Sequence, residues 1–152
     1  MHEAASEGHT KAMKWLCEQG APIRVADKDG FTPLHSAARW GHIEAMQWLQ
    51  KQGASITAVT NDGTTLMHSA ARGGHVEAMK WLKAQGLDIN SKNSKGQTPL
   101  FRSAMDGHVE AMKWLKAEGA KADLEDKDGK TPLALATEGN HIEAVQWLKT
   151  NI

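Results

Sequence analysis

Apolar residues in this chain recur in short helical stripes bounded by glycine. Between Gly41 and Gly53, the residues Ile43, Met46, Trp48 and Leu49 return at roughly three-to-four spacing, the mark of one apolar helix face. Glu44 lies in the first turn of that segment and Lys51 in its last, each opposite in sign to the dipole end beside it. Upstream, Leu34, Ala37 and Ala38 make a second stripe, and the two alanines let a neighbouring helix come close. Thr32 is placed to cap this helix and Pro33 to take its first position, where a missing N–H costs nothing. Gly41 ends it. Gly53 closes the second helix, Ile56 anchors the loop that follows, and Asp62-Gly63 makes a tight reversal that wants positive φ. The pattern predicts a unit of turn, helix, short loop, helix and long loop.

That unit returns with a fixed step. Trp15, Trp48, Trp81, Trp114 and Trp147 are 33 residues apart, as are Gly30, Gly63, Gly96 and Gly129, and His9, His42, His75, His108 and His141. A step of this length marks stacked repeats rather than one globular core. Register divides the single domain, 1–152, into a partial unit at 1–26, complete units at 27–59, 60–92 and 93–125, and a shortened unit at 126–152. Met1-His2 falls where Leu34-His35 falls later, so the first unit lacks its leading turn. The copies drift: Leu66 replaces the proline, Phe101 stands at a histidine position, and Asn140 takes a glycine position where it can still accept left-handed backbone.

Thr32 to His35 reads TPLH, followed by Ala37-Ala38, Gly41-His42 and Gly53-Ala54; this combination closely resembles the ankyrin repeat, in five registered copies covering nearly the whole chain. The resemblance implies an all-α ankyrin-repeat solenoid of stacked helix-turn-helix units with β-hairpin-like finger loops. It also implies that His2, His35 and His68 bond within and between turns. Leu82 to Asn90, LKAQGLDIN, is similar to a stretch hydroxylated at its asparagine on some ankyrin domains, and reads equally as an ordinary loop asparagine.

Composition narrows the chemistry. Apolar residues make up 40% of the chain and charged residues 24%, so it can fold. Eighteen basic residues balance eighteen acidic ones, which argues against a nucleic-acid partner. No apolar run approaches the ~20 residues that span a bilayer, so membrane insertion is not expected. A lone Cys17 cannot form an internal disulfide and fits a reducing, intracellular and cytoplasmic setting. No GxSxG, HExxH or phosphate loop is present, so no catalysis is expected. Histidines that recur once per unit lie ~8–10 Å apart on stacked helices, too far to share one zinc, and no cofactor is expected.

The five registered tryptophans read as a structural ladder of core side chains between successive helix pairs. Residues that break the repeat are the candidates for binding. In the family, partner contacts come mostly from finger tips and the inner-helix surface. The matching positions here include Lys28, Asp29, Phe31, Arg39 and Trp40, then Asn61, Thr64 and Arg72, then Lys95, Gln97, Met105 and Asp106. Trp40 is the one tryptophan off the ladder, and Phe31 stands where later units have Thr64, Gln97 and Lys130. Two large apolar groups flanked by Arg39 and Arg72 have the composition of an interface hot spot. The expected function is therefore a non-catalytic module or scaffold, monomeric, binding a protein partner through its concave face and finger loops. The alternative is a regulatory or spacer fragment of a larger effector, channel or enzyme.

Overall fold

The computed structural model describes residues 1–152 and contains ten helices in five antiparallel pairs. The inner row is α1 (His2–Ser6), α3 (Pro33–Arg39), α5 (Leu66–Arg72), α7 (Pro99–Met105) and α9 (Pro132–Glu138). The outer row is α2 (Thr10–Glu18), α4 (Ile43–Lys51), α6 (Val76–Ala84), α8 (Val109–Ala117) and α10 (Ile142–Asn151). There is no sheet; one isolated bridge pairs Val59 with Thr65. Inner helices pack tightly side by side, whereas outer helices barely touch one another. A stack held closer on one side bends toward it, which makes the inner row and its fingers the concave face.

Local chemistry sets the inner helices. Thr32 Oγ1 accepts from His35 N at 3.4 Å, and Thr65 Oγ1 from His68 N at the same distance. In both, the histidine ring reaches back to the cap residue's backbone N–H, closing a reciprocal pair. Small residues then permit close stacking: Ala37, Ala38, Ala70, Ala71 and Ala104 are fully buried. In the central helix α5, six of seven residues are buried.

Each finger is a tight reversal. Thr60 N donates to Thr64 O at 3.0 Å, and the equivalent bond joins Asp27 to Phe31 at 2.9 Å, Asn93 to Gln97 at 3.0 Å and Asp126 to Lys130 at 2.9 Å. Neighbouring fingers share a backbone bond: Asn61 N to Asp29 O, Ser94 N to Asp62 O and Lys127 N to Lys95 O, at 2.7–3.0 Å. Asn140 takes φ 57°, so the drifted turn keeps its left-handed backbone. Gly41 needs its missing side chain for a second reason: a Cβ there would meet the His75 ring at 2.5 Å.

The tryptophan ladder does not lie in the core. Trp15, in a helix pair with a neighbour on one side only, is 59% exposed; Trp48, Trp81, Trp114 and Trp147 are half-buried and lie against the edge of the core. The interior column is instead Met13, Met46, Met79 and Met112 with Leu49, Leu82, Leu115 and Leu148, all fully buried. Helix geometry explains the correction. At about 100° per residue, Trp48 sits some 200° past Met46, on the flank of the buried arc centred on Ala45, Met46 and Leu49. A wide indole at that margin covers the core from outside rather than filling it.

Candidate partner-binding surface

Two rows of histidine tie successive units together. In the first, His2 Nε2 lies 2.9 Å from Phe31 O, His35 Nε2 3.3 Å from Thr64 O and His68 Nε2 2.9 Å from Gln97 O, each reaching forward to the next finger. A carbonyl only accepts, so Nε2 carries the proton. Nδ1 of His35 then accepts from Thr32 N at 3.3 Å and lies 2.9 Å from Thr32 Oγ1. Burial pushes His35 and His68 down to about 4, which keeps both rings neutral near pH 7. In the second row the rings reach backward: His42 Nε2 donates to Ser6 O at 2.9 Å, His108 to Arg72 O at 2.9 Å and His141 to Met105 O at 2.8 Å. Burial, followed by the charges of His108 and His42, lowers the His75 pKa. These rings are used on backbone carbonyls, and no three His, Cys, Asp or Glu side chains converge as a ligand set.

The second unit carries an open recess of about 390 Å³ between its finger and α3. Asp27, Asp29 and Phe31 line it from the finger, and His35, Ser36, Arg39 and Trp40 from the helix. Trp40 is 55% exposed. Phe31 is half-buried, not fully solvent-facing, and its ring meets His35 edge-on at 5.7 Å and 80°. Arg39 is half-buried and its guanidinium makes no hydrogen bond or ion pair; burial, followed by the charge of Arg72, lowers its pKa. The recess thus joins Asp29, Phe31, Arg39 and Trp40, four of the residues expected to bind.

Along the later units the polar groups pair with one another. Arg72 Nε lies 3.3 Å from Asp106 Oδ2, Arg102 Nη2 3.6 Å from Asp62 Oδ2, and Lys130 Nζ 2.8 Å from Glu138. Asn61 Nδ2 donates to Lys28 O at 2.9 Å across the finger tips. Lys28 and Lys95 are exposed, and Met105 is half-buried.

Family comparison accounts for this architecture. Models described as ankyrin repeats (many copies) match residues 1–50 and 48–83, and one described as ankyrin repeats (3 copies) matches residues 66–152. The chain belongs to the ankyrin repeat family. Ankyrin repeats are generally protein–protein interaction modules and typically non-catalytic. A comparison with curated proteins finds no match. No helix of this ankyrin stack is long and apolar enough to cross a membrane.

Two expected contact residues are corrected. Thr64 is 5% exposed and Gln97 4% exposed, so neither side chain faces a partner. Thr64 is short and stays in the finger base, where Thr60 Oγ1 and Asp62 Oδ1 hold its backbone N–H. Gln97 reaches the next ankyrin finger, its Nε2 donating to Asp126 Oδ2 at 2.8 Å. Sequence reasoning passes over Arg102, whose one signal is its register with Ser36 and Ser69: a long cation at a small polar position. Asn90 is exposed, and its backbone N–H is held by Asp88 Oδ1 at 2.8 Å.

Proposed function

We propose that this ankyrin domain is a non-catalytic protein-binding module that engages its partner through the concave face of the second unit. Trp40 and Phe31 are the anchors, with Arg39 and Arg72 beside them. The finger-tip residues Lys28, Asp29, Asn61 and Lys95 form the rim, and Met105 and Asp106 extend the surface along the inner helices. The observation that carries this reading is the recess itself: two aromatic rings and a guanidinium without an ion pair around open space, on a stack whose other two inner-helix arginines are paired with Asp106 and Asp62. Exposed aromatic and arginine side chains at the centre of a preformed surface are the usual energetic hot spots of protein interfaces. A rigid stack also loses little ordering entropy on binding.

A pull-down from the native cell compares wild type with the double variant Phe31→Ala, Trp40→Ala, with circular dichroism confirming that both are folded. Proteins retained by wild type and lost by the double variant are expected. Unchanged recovery of every retained protein removes this surface from the account.

A further inference from the structure

Three arginines stand on the inner helices, and two have a carboxylate. Arg72 has Asp106 at 3.3 Å and Arg102 has Asp62 at 3.6 Å. Arg39 has none. It is half-buried, so its guanidinium is partly desolvated while none of its five N–H donors has an acceptor in the fold. Arg72 holds the equivalent position on the neighbouring helix and adds a like charge. The carboxylates of the recess are in a different condition. Asp27 is exposed and its Oδ1 already accepts from the backbone of Asp29 and Phe31, at 3.0 Å and 2.9 Å. Asp29 is exposed. An incoming acid therefore supplies an acceptor to a partly desolvated cation that has none, whereas Asp27 already has backbone donors and Asp29 stands in the open.

We propose that the segment bound in this recess is acidic and apolar: a side chain of leucine, methionine or phenylalanine size enters between Phe31 and Trp40, and a neighbouring Asp or Glu bonds the Arg39 guanidinium. This rests on the reading of the concave face as the binding surface and names the chemistry of its partner. The charge on Arg72 adds to the attraction while its own bond to Asp106 stays in place. The planar fork of Arg39 suits a carboxylate held by two parallel hydrogen bonds.

The test selects short random peptides, displayed on phage, against the immobilised full chain. Enriched peptides are then titrated against wild type, Arg39→Gln, Arg39→Lys and Trp40→Ala by fluorescence polarisation. Since Arg39 bonds to nothing in the fold, Arg39→Gln is expected to unfold at the wild-type temperature. The expected result is enrichment of an Asp or Glu beside a large apolar residue. Replacing that acid by alanine, or Arg39 by Gln, should each weaken binding about tenfold, with no further loss when both are made. Arg39→Lys should recover part of the loss. Failure to enrich acidic peptides, or acidic peptides indifferent to Arg39→Gln, overturns the inference. If such peptides still lose binding in Trp40→Ala, the concave-face reading survives and only the acidic chemistry falls; if Trp40→Ala is also silent, both fall.

Discussion

The second and fourth units share one backbone plan and use it in opposite ways. The chain has two phenylalanines, and they mark the contrast. Phe101, in the fourth unit, is fully buried in the slot that His35 and His68 occupy elsewhere. Around it Arg102 reaches Asp62, Asp106 holds Arg72, and Gln97 holds Asp126. Phe31, in the second unit, is half-buried on an open recess beside the exposed Trp40 and the unpartnered Arg39. The fourth unit directs its distinctive side chains to its neighbours and so to stability. The second leaves them open. In a stacked repeat the fold needs only the shared positions, so a unit's departures from the pattern can serve either end.

The largest effect separates the two phenylalanines. Phe101→Ala empties a fully buried site and should cost about 3–5 kcal/mol, whereas Phe31→Ala should cost roughly 1 kcal/mol. Urea unfolding of the two variants measures the difference, and equal losses would erase the contrast. Next comes acid. His35 and His68 go from an unfolded value of 6.5 to about 4 in the fold, so below pH 6.5 the unfolded chain binds protons that the native chain refuses. Stability is full above 6.5 and falls as pH drops toward 4, by up to about 3 kcal/mol for each ring. The slot held by Phe101 does not titrate. Hydrogen exchange at about pH 4.5 should therefore loosen the fingers of the third and fourth units, whose Thr64 and Gln97 carbonyls these rings bond, before the fifth. Uniform loosening would show that the rings are not the cause.

Arginine gives a finer comparison. The Arg102 side chain is 14% exposed, and Arg102→Gln should cost about 1–2 kcal/mol by leaving Asp62 without its cation. Arg39→Gln should stay within about 0.5 kcal/mol of wild type, since it breaks nothing inside the fold. Smallest is the outer face. Lys80→Ala breaks only the exposed pair with Glu77 and should cost less than about 0.5 kcal/mol by thermal unfolding. A larger loss there would mean that the outer helices contribute more than their half-exposed packing implies.

Much of the fold is legible in the amino-acid sequence. Helix limits, threonine caps and finger reversals are local, and each recurs, so one copy checks another. The depth of Trp48 and its equivalents is not legible in the same way, because recurrence marks a structural position without saying how far inside it lies. Depth follows from helical phase, and phase puts Ala45, Leu49 and Met46 within the buried arc and Trp48 beyond its edge. Thr64 and Gln97 align with Phe31 and so look like contact residues, but alignment within the repeat does not reveal what the next finger does to each copy. The Arg102–Asp62 pair joins residues from different units and is visible only once the units are stacked.

The central claim is that the second unit's departures from the repeat form the working surface. The most direct test is a titration of the retained partner into isotope-labelled protein, following the six indole N–H signals by NMR. The account predicts that the Trp40 signal moves or broadens while those of Trp15, Trp48, Trp81, Trp114 and Trp147 stay in place. A silent Trp40 with shifts among the five registered indoles would put the interface on the outer helices and contradict it.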